Sequence, residues 1–346
     1  MSTATATPPS VPTAPVVRAG VVDVHAHWLP RDLFDLPPGS PLPPLTDRDG
    51  ELHLGDLPLT IPTAAMSDLD QVAADTDAAG LGSRVLSAPP FAFGVVDAPG
   101  AGDYADAFNA ALVEACRDGG GRLLGLGLVD LHDPARAQRQ LRELRRTGVV
   151  RGIAVPPLVG ATTFDDGPLA EVVALAAAED AAVLVHPMQL PRPEWGSYYL
   201  ANLVGNPTET ATAVAACVLG GVVERHPDLR ICFVHGGGCA PGLLGRWRHG
   251  WEQRAEVRGS ARPPHDGFRD LWFDTLTHDP AVLRLLAEQA DRSRLMCGSD
   301  HPFDMGTPRP VDDPVAVGLD AALLEANARR FLGLDPTAPR KADHDD

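Results

Sequence analysis

The chain has 346 residues and a mass of 36.5 kDa, and 44% of it is hydrophobic, enough for one large globular core. A formal net charge of −17 and a pI near 5.0 exclude function classes that need a basic surface, such as nucleic-acid binding or docking on anionic lipid. The 34 glycines and 34 prolines exclude a helical bundle and suit a fold with many connections.

Residues 1–18 read as a disordered Pro/Thr/Ala tail with no basic and apolar signal segments. A single domain is expected over 19–334, followed by a second tail at 335–346. The apolar stretch 211–223 is interrupted by Thr and Gly and is too short to span a bilayer. The five cysteines form no CxxC pair, so reduced thiols in a cytoplasmic protein are expected rather than a disulfide framework.

Eight short apolar runs follow one another at 21–27, 83–88, 122–130, 149–155, 182–186, 229–235, 271–275 and 294–300. Amphipathic segments alternate with them, at 66–79, 104–117, 134–146, 168–179, 207–225, 243–256, 281–290 and 321–331. Asp133-Pro134, Asn206-Pro207 and Asp279-Pro280 each place a capping side chain before a proline. Glu209 stands where a capping-box partner of Asn206 would. Strand–helix alternation predicts a parallel sheet covered on both faces. Eight units favour a (β/α)8 TIM barrel over an open sheet, and no GxGxxG follows the first run. Two long insertions break the rhythm, at 29–65 after the first strand and 188–205 after the fifth. Long connections of this kind are lids or disordered segments. Both leave the strand ends where barrel enzymes build their sites.

His25-Ala26-His27 closes the first run and puts two imidazoles on one strand face. The fifth run ends in His186, the sixth in His235 and the eighth in Asp300. Backbone-satisfied core histidines would explain any one of these. A barrel gathers them all around one mouth, where three imidazoles and a carboxylate form a nitrogen/oxygen ligand set. That set suits Zn2+, with Mn2+, Fe2+, Ni2+ or Co2+ as alternatives.

The order HxH, His, His, Asp resembles the amidohydrolase superfamily. The likeness sharpens to the aminocarboxymuconate-semialdehyde decarboxylase subfamily in VLVHP, YLANLVGNPTETA, GGVVERHPDLRICFVHGGG with the following GRWRHG, FDTLTHDP and GSDHPFDMG. The resemblance implies that His25, His27, His186 and Asp300 ligate zinc. It implies that His235 is an unliganded general acid/base beside a metal-bound water. Arg246, in GRWRHG, would clamp the substrate carboxylate by reaching across a homodimer interface into the neighbouring site. The helix at 207–225 would lie at that interface. His278 is a further candidate contact, and His301 stands where the family carries an aromatic residue. Two departures bear on the substrate. The family's second carboxylate-binding Arg has no counterpart in 49–61, where His53 is the nearest cationic candidate. Its aromatic wall aligns with Asn202, with Trp195, Tyr198 and Tyr199 close by.

The function implied is non-oxidative decarboxylation of a small aromatic or enoic amino- or hydroxy-carboxylate. The alternative keeps the site and changes the reaction. It would hydrolyse an amide or ester, or close an ortho-amino-phenol acyl derivative into a benzoxazole-like ring with loss of water. A non-catalytic scaffold would be expected to break the ligand set, and none of the five residues is missing.

Overall fold

The computed structural model describes residues 17–334 except Pro38, 94–97 and Pro191. The tails expected at the two termini fall largely on 1–16 and 335–346, outside the described residues. Eight parallel strands form one sheet in chain order: β1 (Val22–His27), β5 (Ser83–Ser87), β6 (Leu123–Gly127), β7 (Val150–Val155), β8 (Ala182–Val185), β9 (Arg230–Phe233), β10 (Trp272–Asp274) and β11 (Leu295–Met296). The last strand returns to the first. Val24 N donates to Cys297 O at 2.9 Å and His27 N to His301 O at 2.7 Å, which closes the sheet into the expected (β/α)8 barrel. All eight apolar runs contain a strand.

The strands are apolar throughout because both faces are covered. On β8, Val183 and Val185 join Ile231, Phe233 and the helical residues Val172 and Val214 in one cluster. Ala182 and Leu184 join Cys232 and Val234 in a second. Successive side chains therefore serve two layers, as strand geometry requires.

Helix punctuation holds at two of the three expected starts. Asp133 accepts from Arg136 N at 3.0 Å and Asp279 from Ala281 N at 2.6 Å. Asn206 is not a cap. The preceding Ala201–Gly205 is already a wide helical turn, so Asn206 has helical torsions and no end to cap. Glu209 turns away from it and accepts from Met188 N at 2.9 Å and Leu190 N at 2.6 Å, anchoring the loop that leaves β8. The helix expected over 207–225 is two, Asn206–Leu219 and Val222–Arg225, broken where Gly221 takes φ 72°.

The insertion after β1 is neither a bare lid nor disordered. It folds into an antiparallel sheet of β2 (Leu45–Arg48), β3 (Glu51–Leu54) and β4 (Leu57–Pro62). Two-residue turns at Asp49-Gly50 and Gly55-Asp56 join the strands, with φ of 54° and 87° in the first and 59° at Gly55. Leu45, Leu52 and Ile61 are buried in the same cluster as Val22 and Val24, so the insertion packs on the barrel.

Behind the mouth, Asp23 fastens the closure. It accepts from His25 N at 3.1 Å, Ser299 N at 3.0 Å, Ser299 Oγ at 2.5 Å and Arg84 Nε at 3.0 Å. Both members of the Asp23–Arg84 pair are buried. Asp23→Ala is expected to cost about 3–5 kcal/mol, because Arg84 then keeps an uncompensated buried charge. Urea unfolding followed by circular dichroism measures the loss, and adding Arg84→Met recovers part of it.

Candidate metal centre

The strand register determines which side chains meet. His25 and His27 lie two apart on β1, and their ring centroids are 5.3 Å apart. His186 directly follows β8, with its ring 5.1 Å from His25 and 4.7 Å from His27. Asp300 follows β11, and its backbone N donates to His25 O at 2.9 Å, so barrel closure itself delivers the carboxylate. One potential ligand atom from each of His25, His27, His186 and Asp300 lies within 4.8 Å of the others, and all four residues are buried.

Each of the three imidazoles has its Nδ1 on an acceptor. His25 Nδ1 donates to Asp274 Oδ2 at 2.7 Å, His27 Nδ1 to Ala88 O at 3.1 Å and His186 Nδ1 to Pro187 O at 2.7 Å. Carbonyls and carboxylates accept only, so the ring proton stays on Nδ1 and Nε2 carries a lone pair. The three Nε2 atoms face Asp300 Oδ1 at 3.1, 3.0 and 3.7 Å. Among the described residues, His25 Nε2 and His186 Nε2 are buried with no hydrogen-bond partner. Lone pairs turned toward a carboxylate repel it unless a cation lies among them. Donors around one tetrahedral ion at about 2.1 Å sit roughly 3.4 Å apart, so the residues present fit a divalent metal.

The electrostatics agree. Burial pulls His25 down, but the Asp300 and Asp274 carboxylates outweigh it and hold the ring at about 10. Burial lowers His186 to about 3 against the opposing pull of Asp300, and it lowers His27 as well. Burial raises Asp300, yet His25 and the hydrogen-bonding imidazoles hold it well below the usual carboxylate range.

His235 stands beside this group and is half-buried. Its Nε2 is 3.3 Å from Asp300 Oδ2, the oxygen that does not face the other three rings. Its backbone is left-handed at φ 55°, and Gly236, Gly237 and Gly238 continue with φ of 61°, 79° and 63°. Only glycines tolerate such a run cheaply, and the run turns the histidine back over the mouth. His278 follows β10, exposed and left-handed at φ 59°. Desolvation lowers it, followed by the neighbouring charge of His235.

The other expected site residues are not drawn into the cluster. His53 lies half-buried on β3, with Nδ1 on Glu51 O at 3.2 Å. Trp195 lies in a short turn under the Arg192 guanidinium, 5.2 Å from ring centre to Cζ. Asn202 is half-buried in the turn before the helix Asn206–Leu219, and its backbone N donates to Tyr199 O at 3.0 Å. Arg246 is exposed on the helix Ala240–Gln253, and no hydrogen bond or ion pair engages it among the described residues. His301 turns aside and meets Asp75 Oδ2 at 2.9 Å.

Sequence reasoning missed Asp274. It is fully buried, bonds to His25, and ends the apolar β10 as His186 and His235 end theirs. A polar residue closing an apolar strand was therefore its signal too.

Comparison with known proteins agrees with this geometry. Residues 22–334 match the Amidohydrolase family. A 2-amino-3-carboxymuconate-6-semialdehyde decarboxylase of Dictyostelium discoideum is 30% identical over 262 residues, 73% of each chain. The crystal structure of Metarhizium anisopliae IDCase superposes with a TM-score of 0.79 at 25% identity, covering 91% of this chain and 97% of that one. A dihydroxybenzoic acid decarboxylase from Polaromonas, crystallised with manganese, shares the fold with a TM-score of 0.74 at 18% identity, over 91% of this chain and 97% of its own. The family match over residues 22–334, with the 30% identity to the Dictyostelium relative, establishes that the chain belongs to the amidohydrolase family.

Proposed function

We propose that the chain is a divalent-metal-dependent, non-oxidative decarboxylase of a small aromatic or enoic carboxylate bearing an amino or hydroxy group. The observation that carries this is the convergence of three lone-pair Nε2 atoms on Asp300 Oδ1. The decarboxylase names of the Dictyostelium relative and the Polaromonas structure favour the reaction. His25, His27, His186 and Asp300 would hold the ion. Zinc suits the donor set, and manganese is the ion in the Polaromonas structure. When bound, the metal supplies a Lewis acid that polarises an oxygen substituent of the substrate.

His235 is the group left to move a proton. As an imidazolium it protonates the ring carbon that bears the carboxylate. The carbon–carboxylate bond then breaks, its electron pair restores the ring, CO2 leaves, and neutral His235 is reprotonated from solvent. No oxidant enters the balance. Arg246 would bind the carboxylate from the second protomer of a homodimer. Its exposed, unengaged guanidinium supports this, as do the exposed Tyr198, Leu203 and Val204 beside the helix Asn206–Leu219. Five free cysteines support a cytoplasmic setting, and no helix among the described residues is long and apolar enough to cross a membrane.

One observation favours the second reading, hydrolysis or cyclodehydration of an ortho-amino-phenol acyl derivative. Both arginines of the insertion are already paired, Arg31 with Asp47 at 2.7 Å and Arg48 with Asp56 at 3.0 Å. No free guanidinium there awaits a second carboxylate.

Asp300→Ala is expected to leave a folded barrel with substoichiometric metal, measured by elemental analysis after dialysis. His235→Asn should keep its metal and lose about 10²–10⁴-fold in turnover, the usual contribution of a general acid/base. A mass-resolved assay on metal-loaded protein, with ortho-amino and ortho-hydroxy aromatic acids and their amides, should give a product lighter by CO2. A product lighter by water, or split by it, selects the second reading. Light scattering should report a dimer. Arg246→Ala should lower kcat/KM about 10- to 100-fold, the value of hydrogen bonds to a charged group.

A further inference from the structure

Asp274 closes β10 and is wholly buried. Its two oxygens serve different partners. Oδ2 accepts from His25 Nδ1 at 2.7 Å. Oδ1 accepts from Gly236 N at 2.8 Å and from Leu276 N at 3.3 Å. Gly236 directly follows His235 and is the second of the four left-handed residues that turn His235 over the mouth. One carboxylate therefore holds both a ring of the metal cluster and the turn that presents the acid/base.

We propose that Asp274 is a positioning residue that sets the tautomer of His25 through one oxygen and the placement of His235 through the other. The inference rests on the metal-site reading above. A carboxylate can only accept, so His25 must keep its proton on Nδ1 and present a lone pair at Nε2. His27 and His186 meet backbone carbonyls instead. Among the three, only His25 has a charged partner on Nδ1, which raises its basicity as a ligand. The room for that carboxylate is also specific. A Cβ on Gly298 would lie 2.7 Å from Asp274 Cβ and 2.8 Å from its Oδ2, so only glycine leaves Asp274 where it is.

Asparagine fills the same space but cannot serve both partners. Its NH2 faces either His25 Nδ1–H or Gly236 N–H, and the group it faces loses its acceptor. If His25 yields by moving its proton to Nε2, the lone pair needed by the metal is gone. If the turn yields, His235 shifts.

The test uses the full-length chain labelled with 15N-histidine and titrated with Zn2+ against a competing chelator. Asp274→Asn should melt as a folded protein and bind Zn2+ about 10- to 100-fold more weakly, the usual effect of losing such a support. In the zinc-loaded protein its His25 or its His235 ring resonances should move, according to which group the amide faces, and both should move in Gly298→Ala, which displaces the whole carboxylate. Should Asp274→Asn fail to fold, Gly298→Ala displaces the carboxylate while keeping its charge, and the same losses are expected. Wild-type affinity with unchanged rings in the folded variant overturns the proposal. A change confined to His25 in Gly298→Ala overturns the coupling to His235. A wild-type chain that takes up no Zn2+ overturns the metal-site reading, a failure distinct from a variant that binds as well as the wild type.

Discussion

Three buried imidazoles can share one carboxylate oxygen only if positive charge lies among them. That constraint organises the whole mouth of the barrel. Each ring is fixed from behind by an acceptor on Nδ1, so none can turn its proton inward to relieve the repulsion. The acceptors come from the ends of different strands: Ala88 after β5, Pro187 after β8 and Asp274 on β10. The register of the sheet therefore also determines which of these rings meet. A slip of one residue on β1 would send His25 and His27 to the opposite face. Barrel closure performs the last step, since the backbone bond that seals the sheet at His25 also carries Asp300.

Such a mouth is costly in backbone terms. His235, His278 and Asp300 all adopt left-handed torsions that L-residues avoid, at φ of 55°, 59° and 58°. Each costs on the order of 1–3 kcal/mol unless the surroundings over-determine it. The surroundings here are the apolar strands below and the Asp23–Ser299–Arg84 network behind. These three residues sit at the C-terminal rim, over the rigid layers beneath. That division lets a barrel present reactive side chains without loosening its core.

The division also explains what the sequence made legible. Strands betray themselves as apolar runs, and the side chains that meet at the mouth betray themselves as the polar residues that end them. His25, His27, His186, His235 and Asp300 were readable for that reason, and Asp274 obeyed the same rule unnoticed. The 29–65 insertion was readable in principle, because Asp49-Gly50 between alternating residues is a strong hairpin signal. Its prolines and its length masked the alternation of Leu52, Leu54, Leu57 and Leu59. The Asn206 cap was a local signal overruled by context. A helical turn upstream took the cap position, and Glu209 was drawn to the loop by Met188 and Leu190. No local pattern reveals which long-range acceptor a carboxylate will meet.

Substrate choice follows a different logic from the chemistry. The metal cluster and His235 are set by strands and by turns locked to them, so they tolerate little change. The elements outside that cluster are the β2–β4 sheet, the loop carrying Trp195 and Tyr199, and the helix carrying Arg246. All are appended to strand ends and packed on the barrel by a few apolar anchors, such as Leu45, Leu52 and Ile61. In this chain the insertion's arginines pair with Asp47 and Asp56, and its His53 is half-buried on β3 with Nδ1 on Glu51 O. A site that keeps its polarising centre but offers fewer cations selects against doubly charged substrates, because a second carboxylate would have to be desolvated without a partner.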